Sequence, residues 1–314
     1  MHHRSTCALT AFAAAAIFAA PAVGSPLVNE DFSSDPLSNP GVTLTGSGDR
    51  FTYDATAQAL TAHYESNSPT AKLAWALPKH LTDQDAFRFE ADLTIRSAGF
   101  FASPNASAQI AFGLVNSETT GTDRPGGVAG DAWDIATVDY FPNDSPYYHT
   151  QSAAPSVIAS EGTAGDYYDH LHTDYTTEAQ IDGAGETGLL PMDEQLFVSV
   201  DYDPATRFVT LRIENSQGGL PINLDGLTDA GYDDDPATTQ IVLPESAAFD
   251  VDSFALTLWE DTFGGDYETG ESATVADVSF HRFAVSAVPE PASAGLLLGL
   301  AIAGGLVRPR RRTS

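Results

Sequence analysis

The chain has 314 residues, with 43 Asp and Glu against 14 Lys and Arg, for a formal charge of −29 at neutral pH. An acidic excess of this size repels nucleic acid and anionic membrane surfaces, which excludes both as partners. The one cysteine, Cys7, lies too close to the N-terminus to staple a fold, so stability has to come from packing.

His2, His3 and Arg4 precede an apolar run from Ala8 to Ala20, and small residues follow at Ala22 and Gly24. That layout is a secretory signal peptide over residues 1–24, read by a Sec-type export machinery. Cys7 stands ahead of the apolar run and not at the cleavage point, so a lipoprotein signal is not expected. Residues 25–287 then form the body. Without Arg4, the four C-terminal arginines and Glu290, it keeps nine basic and 42 acidic residues, near −33. Two explanations fit that surface: solubility of a secreted protein, helped by having only Lys72 and Lys79 as lysines, or bound cations. With no linker composition and no fixed-period repeat, one domain is expected.

Strand periodicity dominates the body. Segments Leu60 to Tyr64 and Lys72 to Leu77 come first. From Phe87 to Arg96 the chain alternates Phe87, Phe89, Ala91, Leu93 and Ile95 with Arg88, Glu90, Asp92, Thr94 and Arg96, one buried and one wet face. The same period recurs at Ile110, Phe112 and Leu114, and a further strand covers Asp134 to Phe141. Phe197 to Tyr202 and Phe208 to Glu214 flank Asp203, Pro204, Ala205 and Thr206, where Asp-Pro suits the first two positions of a type I turn. Thr239 to Leu243, Phe254 to Leu258 and Val275 to Val285 complete the set. About ten strands joined by polar, Gly-rich turns predict an all-β antiparallel β-sandwich.

The opening Asn29, Glu30, Asp31, Phe32, Ser33 carries a resemblance. So do the strand from Phe87 followed by Ala108 to Asn116, the hairpin at Pro204, and the closing pair Asp252 to Trp259 and Ala273 to Val285. Together they resemble the concanavalin A-like lectin and glucanase jelly roll, which includes laminin-G-like modules, over most of residues 27–285. An immunoglobulin-like or other sandwich is the alternative. Glucanases of this fold carry acids at alternate strand positions, with nucleophile and acid about 5 Å apart. Glu90 and Asp92 are the nearest match, but Thr94 stands where a third acid is needed, and Glu260 and Asp261 are adjacent. Charged residues on an outer strand face are the simpler reading, and no catalytic residue is assigned.

Three further patterns bear on binding. Asp169, His170, His172 and Asp174 alternate as a zinc or copper site would require, although a surface loop is the better explanation of them. Calcium is the better expectation, because it takes six to eight oxygens from flexible loops. The oxygen-rich stretches are Asp225 to Asp235, including Asp233, Asp234 and Asp235, and Glu260 to Glu271, including Asp261, Asp266 and Glu268. Tyr140, Phe141, Tyr147, Tyr148, Tyr167, Tyr168 and Tyr175 lie among Asp, Asn and His, the chemistry that a polysaccharide site uses. Of these, Tyr147, Tyr148, Tyr167 and Tyr168 are the candidate ligand-binding residues, and the simpler reading is that the tyrosines cap the sandwich with their hydroxyls in water. Nucleophile-elbow, zinc-protease and phosphate-loop motifs are missing from the sequence.

The C-terminus is the most specific segment. Val288, Pro289, Glu290 and Pro291 precede an uncharged span from Ala292 to Val307, and Arg308, Arg310, Arg311 and Arg312 close the chain. Apolar residues followed by arginines stop in a bilayer with the basic end on the cytoplasmic side. The 16 residues make about 24 Å of helix against about 30 Å of hydrocarbon, short for an ordinary single-pass anchor. This arrangement resembles the PEP-CTERM sorting signal of exported bacterial proteins. The resemblance divides residues 288–314 into a motif at 288–291, a transmembrane sorting helix at 292–307 and an Arg-rich tail at 308–314. It implies an exosortase-type membrane protease as partner and an inner-membrane intermediate. The final location it implies is the cell surface or extracellular matrix of a Gram-negative-type bacterium. The combined expectation is a non-catalytic, polysaccharide-associated surface protein. A purely structural matrix component and a glycoside hydrolase are the alternatives.

Overall fold

The computed structural model describes residues 26–65, 70–99, 106–121, 134–143, 152–159, 167–168, 175–176, 190–219, 240–243, 245, 247–262 and 275–288. Within them the strands are β1 (Pro26–Glu30), β2 (Val42–Gly46), β3 (Phe51–Asp54), β4 (Ala59–Glu65), β5 (Ala71–Thr82) and β6 (Phe87–Gly99). There follow β7 (Ala106–Val115), β8 (Ile135–Asn143), β9 (Ser152–Ile158), β10 (Tyr167–Tyr168), β11 (Tyr175–Thr176) and β12 (Gln195–Asp203). The last are β13 (Phe208–Asn215), β14 (Gly218–Gly219), β15 (Gln240–Val242), β16 (Asp250–Thr262) and β17 (Val275–Ala287). Two single-turn 3-10 helices, Pro36–Ser38 and Gly48–Arg50, flank β2.

All strand pairs are antiparallel, and they form two sheets. Sheet A runs β14-β13-β12-β6-β17-β4-β3, with β1 also on β17 and β15 also on β13; sheet B runs β10-β9-β8-β7-β16-β5-β2, with β11 also on β9. The alternation read from the sequence sets the faces. Phe87, Phe89, Ala91, Leu93 and Ile95 of β6 are buried toward sheet B, while Arg88, Glu90 and Arg96 face outward. Pro155 sits inside β9, but β10 pairs only at residues 157–158 and β11 only at 152–153, so its missing N–H falls between the two partners.

The β12–β13 hairpin differs from the expected turn in one bond. Asp203 accepts at its carboxylate from Ala205 N–H (2.9 Å) and Thr206 Oγ1 (2.9 Å), as expected of Asp before Pro. Its carbonyl, however, accepts from Arg207 N–H at 2.7 Å, one residue beyond a type I turn, because Arg207 takes a left-handed φ of 60°. The Arg207 guanidinium then donates to Leu243 O, Ala247 O and the Asp83 carboxylate, tying the hairpin to the approach of β16.

Aromatic rings bridge the sheets. Phe254 of β16 stacks on Phe283 of β17 with centroids 4.0 Å apart, and Trp75 of β5 meets Phe283 edge-on at 4.8 Å. The opening segment completes this cluster. Phe32 is fully buried at a left-handed φ of 51°, 6.0 Å from Phe283 and 6.4 Å from Trp75. Glu30 holds that conformation by accepting from Phe32 N–H (2.9 Å) and Trp75 Nε1–H (3.1 Å), and Tyr53 Oη donates to Phe32 O at 2.9 Å. Phe32→Ala is expected to lower unfolding free energy by about 3–5 kcal/mol in a denaturant titration, the usual cost of emptying an aromatic core site. Gly113 in β7 has φ 146°, and a Cβ there would lie 2.6 Å from Ala136 O and 2.7 Å from Thr137 Cα. Gly113→Ala is therefore expected to cost about 1–3 kcal/mol by the same titration, with an unchanged value counting against that geometry.

Candidate functional site

The outer faces of the two sheets differ in kind. On sheet B, Ala74, Ala255, Gly113, Thr137 and Ser156 stand opposite one another across β5, β16, β7, β8 and β9, a strip of small residues spanning five strands. The adjoining row is Lys72, Thr257, Ala111, Asp139 and Ala154. Lys72, Thr137, Asp139, Ser156, Thr257 and Trp259 on this face are all buried, an unusual density of polar groups.

Burying a carboxylate is costly unless hydrogen bonds replace its water. Asp139, fully buried, accepts from Thr137 Oγ1 (2.9 Å) and Ser156 Oγ (2.6 Å), one donor two positions back on its own strand and one from β9. Lys72 is 5% exposed and donates to Thr120 O in the turn after β7. That turn is pinned in its own right, since Ser117 N–H and Oγ–H donate to the Asp252 carboxylate at 2.8 and 2.7 Å. Desolvation holds the Lys72 ammonium below the ordinary lysine pKa, with Asp252 opposing the shift. A carboxylate, hydroxyls, an ammonium and an indole thus share one sheet face, all of them buried, with Asp139 and Lys72 bonded within the protein.

The outer face of sheet A is exposed and internally compensated. Arg88 Nε lies 2.8 Å from Glu90 and its Nη1 3.6 Å from Asp201 of β12, while Arg282 of β17 reaches Glu90 at 4.0 Å. Glu90 and Asp92 thus share the outward face as their spacing implied, and the third carboxylate is Asp201 from the neighbouring strand. Thr94 is buried and hydrogen-bonds His281 Nε2 at 2.9 Å. Burial raises the pKa of both Asp92 and Asp201, opposed chiefly by Arg282 and Arg88 respectively. Between the sheets lies a small apolar void of about 20 Å³ lined by residues such as Leu93, Phe112 and Val138, a packing gap without polar groups.

Tyr167 and Tyr168 form β10, whose backbone pairs with Ile158 and Val157, so they join sheet B beside the Asp139 strand pair. Asp261 lies in β16 opposite Ser107. Val288 donates its N–H to Ala86 O at 2.8 Å. Tyr147, Tyr148, Asp233, Asp234, Asp235, Asp266, the His170 to Asp174 group, Pro289, Glu290, Pro291 and residues 292–314 lie outside the described residues. Among the described residues no three His, Cys, Asp or Glu side chains converge as metal ligands. Sequence reasoning missed Lys72, Thr137, Asp139 and Ser156 as a group. Their signal was polar residues at alternate positions of an otherwise apolar strand, which reads as a wet face until the burial is known.

An all-β antiparallel two-sheet sandwich is thus the class of protein. Residues 287–312 match the model of the PEP-CTERM protein-sorting motif. The C-terminus is therefore a PEP-CTERM motif, which implies export, exosortase processing and a surface destination. No curated protein matches the chain. Among solved structures, peanut lectin with a nine-residue peptide is similar at 12% identity and TM-score 0.47, over 83% of this chain and 97% of the lectin. A Bauhinia forficata lectin in complex with GalNAc is similar at 13% identity and TM-score 0.42, over 80% and 95%. An alginate lyase in complex with alginate trisaccharide is similar at 10% identity and TM-score 0.39, over 79% and 88%.

The Lys72 environment makes a pH-dependent prediction. Because the folded-state pKa is lowered, the unfolded chain binds more protons between that value and the ordinary one, so folding stability from this group rises with pH across the window. Lys72→Met removes the burden of a buried charge. Its melting-temperature advantage over the wild type is expected to be largest at neutral pH and to shrink toward about pH 10.4, the unperturbed lysine value. A difference that stays constant with pH would contradict the depressed pKa.

Proposed function

We propose that the protein is a non-catalytic, polysaccharide-associated β-sandwich displayed at the cell surface or in the extracellular matrix of a Gram-negative-type bacterium. On this reading the Sec-type machinery exports it, the span 292–307 holds it in the inner membrane, and an exosortase-type protease processes it near Pro289, Glu290 and Pro291. The observation that carries the binding role is the outer face of sheet B. There Asp139, Thr137 and Ser156 form a hydrogen-bonded polar group beside a strip of small side chains, and Trp259 lies on the same face. These groups are buried and bonded to one another, so in this reading they fix the strands beneath the binding face and do not touch the sugar themselves. Tyr167 and Tyr168 extend the same sheet, and Tyr147 and Tyr148 supply further stacking surface in this reading. Calcium, held by the Asp233 to Asp235 stretch with Asp261 and Asp266, would order the surrounding loops.

The reading as a structural matrix component needs no ligand and rests on the sorting motif with the acidic surface. For a glycoside hydrolase, Glu90, Asp92 and Asp201 offer carboxylates on one face, but Glu90 is engaged by Arg88 and Arg282.

Retention of the exported protein on a panel of bacterial, plant and algal polysaccharides, in calcium and in EDTA, tests the proposal. Retention is expected, with loss in EDTA marking a calcium-assisted site, and Asp139→Asn is expected to weaken it about tenfold, the worth of a charge-assisted hydrogen bond. Failure to bind any polysaccharide would leave the matrix-scaffold reading, and release of reducing ends would establish hydrolysis.

A further inference from the structure

We propose that β2 is a self-pairing edge, through which two copies of the chain join sheet B into one continuous sheet. β2 ends sheet B, and no described strand pairs with its outer edge. Its residues Thr43, Leu44, Thr45 and Gly46 are exposed, Leu44 by 43%. An edge strand presents a row of open N–H and C=O groups, and natural edges are normally protected by charge, proline within the strand or a bulge. β2 is short, at five residues, but has none of these: its pairing with β5 is regular from Val42 to Gly46, and residues 36–48 contain no charged side chain.

The occupant is a second copy for two reasons. First, a body near −33 resists self-association wherever its acidic surface meets itself, whereas an uncharged strand approaches its own copy without like-charge repulsion. Second, the strand is self-complementary. Ser47 N–H donates to Thr70 O at 3.2 Å, which by alternation assigns the inward backbone groups to Thr43, Thr45 and Ser47 and leaves those of Leu44 pointing away from β5. A two-fold axis at Leu44 then sets Leu44 against Leu44 of the second copy as a hydrogen-bonded pair, and Thr43 against Thr45. Apolar and Thr–Thr cross-strand pairs are both favourable, and a closed two-fold contact uses the same patch twice. The axis stands perpendicular to the sheet, so the strips around Asp139 in both copies face the same side.

The test uses the full-length chain carrying Cys7→Ser, so that introduced thiols are the only ones. Under mild oxidation Leu44→Cys is expected to form a disulfide-linked dimer at several-fold higher yield than Thr52→Cys, an exposed control on β3 in the other sheet. A mixture of Thr43→Cys and Thr45→Cys chains is expected to cross-link better than either alone, because the register opposes them. Leu44→Lys in the wild-type background is expected to abolish chemical cross-linking of dimers while leaving the melting temperature unchanged. Equal yields from Leu44→Cys and Thr52→Cys, or no gain on mixing, would overturn the pairing, whatever the outcome of polysaccharide binding.

Discussion

The stacked pair of Phe254 and Phe283, with Trp75 and Phe32 set edge-on around it, is the contact on which the rest of the molecule depends. It joins β16, an interior strand of sheet B, to β17, an interior strand of sheet A, and both are thirteen residues long and paired on both sides. Every other strand is held in register by the need to keep its apolar face toward this layer, since a slip of one residue would turn that face to water. Glu30 illustrates how tightly the layer is fixed. A single carboxylate holds a left-handed turn and an indole, and thereby seats the N-terminal segment between the sheets.

With the inner faces committed to packing, chemistry is confined to the outer ones. Sheet A carries Arg88, Arg96, Arg212 and Arg282, four of the nine basic residues of the body, and balances them against Glu90, Asp92 and Asp201. Opposed charges at these exposures contribute little to stability, and the face reads as a solvated, self-neutralised surface. Sheet B instead buries its polar groups, with Asp139 accepting from Thr137 and Ser156 and Lys72 donating to Thr120 O. Buried polar networks cost free energy unless every member is paired, so they are expected where specificity is needed.

Several strands were legible because each obeys one rule strongly. β6 alternates without error through nine residues, and β12 and β13 flank an Asp-Pro turn whose carboxylate behaves as local chemistry dictates. β2, β3 and β14 were not seen, since each lies at an edge and has five residues or fewer, too few for alternation to stand out. β9 was hidden by Pro155, tolerated only because its outer partners leave a gap. Of the candidate site, the tyrosines and the alternating Glu90 and Asp92 were visible as composition. Asp139 and Lys72 were not, because nothing in a sequence distinguishes a polar side chain on a wet face from one that is buried.

By itself the sequence carried the sorting motif and the all-β class. Signals for export are read as linear segments by the machinery that binds them, and alternation of apolar residues is a local property of the chain, so both are complete before folding. Tertiary structure decided which face holds the polar strip, which carboxylate stands beside Arg88, and which of the described strands ends sheet B. Those facts depend on residues far apart in the chain, such as Asp139 with Ser156, Arg88 with Asp201, and Lys72 with Thr120, and only the pairing of strands brings such groups within hydrogen-bonding or ion-pairing distance.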